Sequence, residues 1–153
     1  DEFISEDEAD HLINLGNNKY TRSFGLDLQK DGTYKPIETN IRTSLNTWCN
    51  TEQCVNDAVV KEITARVENV SSVPYANFEY AQLLYYHSCA HENATNCSFY
   101  RRHHDYIPSD NLKNQGVRIM TCFIYLNDVT AGGYTIFDNI SAASPTSVLI
   151  HGV

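Results

Sequence analysis

The sequence predicts an α+β fold in one domain, with a sheet-based core and helices packed on one side of it. Two observations lead to this prediction: helical periodicity comes first along the chain, and aromatic and β-branched strand patterns follow it. No repeat or low-complexity linker divides the 153 residues. The formal net charge of −8 argues against wholesale nucleic-acid binding. No apolar run reaches the roughly 20 residues that a membrane span needs.

The first helix is expected directly after Ser5. Ser5 is a favoured N-cap residue, and Glu8 stands three positions later, which is the spacing of a capping box. The apolar face of this helix consists of Leu12, Ile13 and Leu15. Gly16 and Asn17 are expected to end it.

A second helix is expected roughly from Glu52 to Glu68, and Pro74 ends that region. Its apolar positions recur every four residues, at Val55, Val59, Ile63 and Val67. Strands are predicted after it, because the apolar pattern changes. They are "FEYAQLLYYH" (78–87), "VRIMTCFIYLND" (117–128), "YTIF" (134–137) and "SVLIHGV" (147–153), with turns at "NDVTAGG" and "SAASP".

Five cysteines indicate two local disulfides and one buried thiol. Cys49 lies close to Cys54, and Cys89 lies close to Cys97, whereas Cys122 stands alone in an apolar run. Four glycosylation sequons favour an oxidising compartment, either the endoplasmic reticulum lumen or the extracellular space. They begin at Asn69, Asn93, Asn96 and Asn139. A glycosylated protein of the secretory pathway is therefore expected.

A zinc site is the alternative use of the second cysteine pair. Its ligands would be His87, Cys89, His91 and Cys97. The H-x-C-x-H spacing matches no familiar zinc finger, and sequons lie between the cysteines. The disulfide is therefore the preferred interpretation.

The segment "SFYRRHHDYIPSD" (98–110) contains candidate metal ligands. In an extended chain residues i and i+2 point the same way, so His103 and Asp105 converge while His104 points away. Two histidines and one carboxylate make the facial triad of a non-haem Fe(II) site. The only histidine after Asp105 is His151. Taken alone, the triplet is also compatible with a solvated polar loop that binds no metal.

Five motifs together resemble the prolyl 4-hydroxylase family of 2-oxoglutarate/Fe(II)-dependent dioxygenases. They are "FISEDEADHLI", "IRTSLNTWC", "NFEYAQLLYY", "YRRHHDY" and "GVRIMTCFIYLNDVTAGGYTIF". The resemblance implies a double-stranded β-helix (jelly roll) and hydroxylation of proline in peptides or proteins. It also implies Fe(II), 2-oxoglutarate and ascorbate as cofactors.

The resemblance assigns roles to individual residues. His103 and Asp105 take the places of the first two iron ligands. His151 is either the distal ligand or fills the apolar position of the preceding strand. The co-substrate pocket would be formed by Tyr86, Tyr100, Thr121 and Thr135. Arg42 matches an arginine near the peptide substrate, although a surface salt bridge explains it equally well, and both tyrosines could be ordinary core aromatics.

Several departures from the family pattern bear on activity. Arg102 replaces the usual proline, and Tyr134 stands where the family favours glutamate. No basic residue follows His151 to pair with the far carboxylate of 2-oxoglutarate, and Arg118 is the best internal substitute. We therefore expect residues 1–153 to be a single domain lacking its C-terminal strand or strands, and an enzyme if the missing part supplies that anchor. The alternative is a catalytically inactive extracellular domain that binds peptide or serves a structural role.

Overall fold

The computed structural model describes residues 3–38, 40–89, 97–107 and 115–137. They form an α+β fold, as predicted. Its helices are α1 (Glu6–Gly16), α2 (Glu52–Val55) and α3 (Ala58–Ser71), with a 3-10 turn at Tyr75–Asn77. Its strands are β1 (Thr21–Arg22), β2 (Gly25–Leu28), β3 (Tyr34–Ile37), β4 (Leu45–Trp48) and β5 (Gln82–Tyr85). No helix in these four ranges is long and apolar enough to cross a membrane.

Helix α1 begins and ends where the sequence predicts. The backbone N–H of Glu8 donates to the Ser5 hydroxyl (3.2 Å), and the Ser5 N–H donates to the Glu8 carboxylate (2.8 Å), which completes the capping box. Ala9 and Leu12 are buried, and the helix ends at Gly16. The local sequence therefore sets both ends of α1.

The single helix predicted from Glu52 to Glu68 is wrong, because Asn56 and Asp57 interrupt it. Asp57 is the N-cap of α3, and its Oδ1 accepts a hydrogen bond from the Val60 N–H (3.1 Å). Its Oδ2 lies 2.9 Å from Nε2 of His11 in α1. Aspartate is a strong N-cap residue. The apolar spacing of four continues across the break, so periodicity alone could not reveal it.

Strand β4 lies at the centre of an antiparallel sheet with the order β1-β4-β5. Its register to β5 runs from Leu45 opposite Tyr85 to Trp48 opposite Gln82. The pairing continues one residue further, because the Cys49 N–H donates to the Ala81 carbonyl (2.9 Å). β2 and β3 form a separate antiparallel pair.

The core forms where α1 and α3 meet β5. Its buried members are Ile4, Ala9, Leu12, Ile63 and Leu83. Burying such apolar side chains is the main favourable contribution to folding.

The strands predicted at 117–128 and 134–137 do not occur in the described residues. A strand exists only where a neighbouring chain segment accepts and donates its backbone hydrogen bonds. Ile119 and Ile136 are 82% and 75% exposed, whereas Ile124 and Leu126 pack against the core, so only part of the 117–128 segment contributes to it. Cys122 is also exposed, which contradicts the predicted buried thiol. The predicted turn at 141–145 and strand at 147–153 lie outside the described residues.

Candidate active site

The segment that carries His103 and His104 is hydrogen-bonded, through its backbone, to the residues that directly precede β4. The Thr43 N–H donates to the Phe99 carbonyl (2.8 Å), and the Arg101 N–H donates to the Ile41 carbonyl (2.8 Å). Arg42 and Tyr100 form an antiparallel bridge between these bonds. The backbone around Tyr100 is therefore held in a fixed register.

His103 and Asp105 point toward each other, as their spacing predicts. Nε2 of His103 lies 3.3 Å from Oδ1 of Asp105. The intervening His104 makes a different contact, since its Nδ1 lies 2.9 Å from the Tyr106 carbonyl oxygen. The alternation expected of an extended chain is thus present at this point.

Hydrogen bonds orient the two side chains that carry the candidate metal-ligand atoms. Nδ1 of His103 lies 2.7 Å from the Arg101 carbonyl oxygen. A carbonyl can only accept, so this contact places a ring proton on Nδ1, and Nε2 is the ring nitrogen that faces Asp105. The other carboxylate oxygen of Asp105, Oδ2, accepts a hydrogen bond from the Thr121 hydroxyl.

This arrangement fits a metal ion. Two cis ligand atoms about 2.1 Å from an octahedral ion lie about 3 Å apart, close to the separation observed here. A ligating histidine commonly donates its other N–H to a carbonyl or carboxylate. Among residues 3–38, 40–89, 97–107 and 115–137, no group of three or more His, Cys, Asp or Glu side chains is gathered. His151, the predicted third ligand, lies outside these ranges.

Tyr100 lies directly against the candidate ligand. Its ring and the His103 imidazole are stacked, with centroids 3.6 Å apart and an interplanar angle of 18°. The Arg42 guanidinium carbon is 4.7 Å from the Tyr100 ring centroid. Arg42 also donates to Oε1 of Gln82 and to the Ser44 hydroxyl, both at 3.4 Å.

Tyr86 belongs to the same group of side chains. Partial burial raises the pKa of its hydroxyl, and hydrogen bonding with Ser44 and the charge of Arg42 oppose that effect. The nearby Tyr100 and Tyr125 raise this pKa further. The Tyr86 phenol therefore stays protonated at neutral pH and can donate a hydrogen bond.

Sequence reasoning missed Tyr125, which reaches another predicted pocket residue. Its hydroxyl lies 2.8 Å from the Thr135 hydroxyl and donates to the Gly133 carbonyl (3.1 Å). Tyr125 stands in the "YLND" part of the longest motif, which was the available signal. The predicted residues described here therefore form two contact groups. The first contains Arg42, Tyr86, Tyr100, His103, Asp105 and Thr121. The second is Thr135, which Tyr125 links to the first, because the Tyr125 phenol also lies near Tyr86.

A buried pair of serines adjoins Arg42 and was also missed. Ser23 and Ser44 are both fully buried, and the Ser44 hydroxyl donates to the Ser23 hydroxyl (3.1 Å). The Ser23 N–H also donates to the Ser44 carbonyl (3.0 Å). Buried hydroxyls need such partners, so this pair fixes the strand that leads to the site.

Both predicted disulfides are present. Cys49 bonds Cys54 and both are buried, whereas Cys89, which bonds Cys97, is exposed. The second disulfide leaves neither sulfur as a thiolate, so the zinc alternative does not occur.

Arg118, the internal substitute for the co-substrate anchor, is engaged elsewhere. Its Nε and Nη2 donate to the two carboxylate oxygens of Glu79 at 2.8 and 2.7 Å. Such a bidentate pair fixes the guanidinium. Tyr134, the departure in the glycine turn, is 81% exposed.

One of the four sequon asparagines is described. Asn69 lies in the last turns of α3 and is exposed. Asn93, Asn96 and Asn139 lie outside the described residues.

Comparison with known proteins shows similarity to plant enzymes over most of the chain. Prolyl 4-hydroxylase 5 of Arabidopsis thaliana is 34% identical over 145 residues, which is 92% of this chain and 45% of that protein. Probable prolyl 4-hydroxylase 8 of the same plant is 33% identical over 136 residues, 88% of this chain and 42% of that protein. The chain thus spans less than half the length of these relatives. No family model matches it.

Proposed function

Because the chain belongs to the prolyl 4-hydroxylase family, we propose that it acts as an Fe(II)- and 2-oxoglutarate-dependent dioxygenase that hydroxylates proline in a peptide or protein. The observation that carries the proposal is the facing pair of His103 Nε2 and Asp105 Oδ1, 3.3 Å apart. We also propose that residues 1–153 form one domain with a double-stranded β-helix core.

His103, Asp105 and His151 would hold the metal in this proposal. The Arg101 carbonyl sets the tautomer of His103, and the Thr121 hydroxyl holds Asp105 through its second oxygen. A bound Fe(II) ion supplies the oxidation chemistry, in which decarboxylation of 2-oxoglutarate is coupled to hydroxylation. Ascorbate would keep the metal reduced.

Tyrosine and threonine hydroxyls would orient 2-oxoglutarate. Tyr86 keeps its proton at neutral pH, so it can donate a hydrogen bond to a carboxylate oxygen. Tyr100 and Thr121 lie beside the two candidate ligands, and Thr135 joins the pocket through Tyr125. Arg42 would face the peptide substrate.

The proposed compartment is the secretory pathway, either the endoplasmic reticulum lumen or the extracellular space. Two disulfides in a chain of this size fit an oxidising environment. The exposed position of Asn69 on α3 supports N-glycosylation there. Treatment of protein from a eukaryotic secretory host with an amidase that releases N-glycans would convert a modified Asn69 to aspartate, which peptide mass mapping detects.

The test of activity is the fate of both oxygen atoms of O₂. Full-length protein is incubated with ¹⁸O₂, Fe(II), 2-oxoglutarate, ascorbate and a proline-rich peptide. One labelled oxygen is expected in succinate and the other in hydroxyproline, with release of CO₂. A protein that binds the peptide but forms neither product would refute the proposal and favour the inactive binding domain.

A further inference from the structure

We propose that Tyr100 and Arg42 act as positioning residues that hold the imidazole of His103 in its ligating orientation, an inference that rests on the proposed metal site. The stack of the Tyr100 ring on that imidazole, 3.6 Å between centroids, is the observation that carries it. The role falls to the aromatic face of Tyr100, whereas a contact with the co-substrate would use its hydroxyl.

The backbone places Tyr100 before any side chain is considered. Hydrogen bonds from Thr43 to Phe99 and from Arg101 to Ile41 enclose the Arg42–Tyr100 bridge on both sides. The Phe99 N–H adds a third bond, to the Thr43 hydroxyl (2.8 Å). The Tyr100 side chain therefore projects from a backbone segment whose register is fixed.

The stack then removes the main freedom that His103 retains. The χ2 torsion of histidine is broad, so a lone imidazole samples many ring orientations. The bond from Nδ1 to the Arg101 carbonyl fixes one edge of the ring. The Tyr100 ring lies nearly parallel to the imidazole, at 18°, so the imidazole cannot turn about its hydrogen bond without colliding with that ring. Together the two contacts aim Nε2 at Asp105.

Arg42 supports Tyr100. Its guanidinium lies 4.7 Å from the Tyr100 centroid, within the range of a cation–π contact. Hydrogen bonds to Gln82 on β5 and to the buried Ser44 tie that guanidinium to the central sheet. The sheet thereby supports His103 through the side chains of Arg42 and Tyr100. This support needs no direct contact between Arg42 and His103.

The experiment compares metal affinity in variants that keep or remove the ring. Co(II), an air-stable substitute for Fe(II), is titrated into the whole chain, and its visible spectrum is recorded. Tyr100→Phe keeps the ring, so affinity and spectrum should stay within about twofold of the parent protein. Tyr100→Leu removes the ring and should weaken binding about 10-fold or more, as loss of other supporting contacts does. Tyr75→Leu, an exposed tyrosine on the 3-10 turn, is the matched control and should change nothing.

A double-mutant cycle tests whether Arg42 acts through Tyr100. Arg42→Ala should weaken Co(II) binding several-fold in the parent protein and have no further effect in the Tyr100→Leu background. Additive losses would show that Arg42 acts independently and would overturn that part of the inference. Equal losses in Tyr100→Phe and Tyr100→Leu would overturn the role of the ring.

A metal-free measurement keeps the proposal testable if a variant binds nothing. Ring current from Tyr100 should shift the carbon-bound protons of the His103 imidazole upfield in the NMR spectrum, and Tyr100→Leu should abolish that shift. Absence of the shift in the parent protein would refute the stack. Failure of the parent chain to bind Co(II) while the shift is present would refute the metal site instead, so the two failures are distinguishable.

Discussion

The carboxylate of Glu8 in α1 accepts hydrogen bonds from the guanidinium of Arg66 in α3, one of them at 2.9 Å. The same guanidinium donates to the Phe3 carbonyl (2.7 Å), so it also fixes the chain that enters α1. These bonds from Arg66, followed by the Ser5 N–H, lower the pKa of Glu8 from 4.5 to about 2.

The Glu8–Arg66 contact predicts an acid-sensitive contribution to stability. A carboxyl whose pKa is lower in the folded state stabilises the protein above its unfolded pKa, and that contribution disappears as the pH falls from about 4.5 to about 2. Glu8→Gln should therefore cost about 1–2 kcal/mol of unfolding free energy at pH 7, a value reduced by solvent screening. In urea denaturation, the difference from the parent protein should shrink toward pH 2. Glu6→Gln, which changes an exposed residue in the same turn, is the control. A difference in unfolding free energy between Glu8→Gln and the parent protein that does not change with pH would contradict this prediction.

The two adjacent histidines should differ sharply in metal binding. His103→Ala should weaken Co(II) or Fe(II) binding by at least about 100-fold, because Nε2 of His103 faces Asp105. His104→Ala should have little effect, since the contact of His104 is with the Tyr106 carbonyl. Isothermal titration calorimetry measures both. The opposite ranking would show that the extended register around residue 104 is wrong.

The two disulfides should be reduced in a fixed order. Cys49 and Cys54 are only 4% and 7% exposed, whereas Cys89 is on the surface. A mild thiol reductant should therefore open Cys89–Cys97 first, because exchange needs access to sulfur. Differential alkylation and peptide mass mapping give the order. The double change Cys49→Ser/Cys54→Ser should cost about 2–3 kcal/mol of stability.

Gly133 should be harder to replace than its neighbour Gly132. Both have positive φ, +68° and +79°, so alanine is strained at either position. A Cβ at Gly133 would also lie 2.9 Å from Cγ2 of Val129, whereas one at Gly132 would meet no atom within 4 Å. Gly132→Ala should cost about 1 kcal/mol and Gly133→Ala about 2–3 kcal/mol, as measured by thermal unfolding. Adding Val129→Ala should recover part of the Gly133→Ala loss, and no recovery would show that contact with Val129 is not the cause.

Arg118 should contribute to the stability of the fold and not to 2-oxoglutarate binding. Because Nε and Nη2 of Arg118 donate to the two carboxylate oxygens of Glu79, Arg118→Met and Glu79→Gln should each lower the unfolding free energy, by about 1–3 kcal/mol. Neither change should selectively raise the 2-oxoglutarate KM of the active protein. A large KM effect of Arg118→Met alone would restore this arginine as the co-substrate anchor.

Local interactions were readable from the sequence. The capping box at Ser5 and Glu8 involves residues three apart, and the convergence of His103 and Asp105 needs only the alternation of an extended chain. Both disulfides join cysteines 5 and 8 positions apart. Each of these features depends on a few neighbouring residues, so a pattern in the sequence is enough to predict it.

Contacts between distant parts of the chain were not readable. The Arg118–Glu79 pair spans 39 positions, and the contact of Arg66 with Glu8 spans 58. The break at Asn56 was missed because the apolar repeat continues through it. The strand expected at 117–128 was inferred from its apolar pattern and its aromatic and β-branched residues, but a strand also requires a partner, which these features cannot supply.

Residues 50–80 form a region whose two ends lie next to each other, because the chain returns from Cys49 to Ala81. The backbone leaves β4 and re-enters beside the same strand, with Trp48 opposite Gln82 and Cys49 bonded to Ala81. Loop closure costs grow only slowly with length, so residues can be added in the exposed turn of this region without shifting β5 against β4. The surface turn after α3, at residues 72–77, is the natural point for such an insertion. A reporter peptide or an affinity tag placed there should leave the geometry of Tyr86 and Arg42 unchanged, which makes this turn a practical attachment site for immobilising the protein.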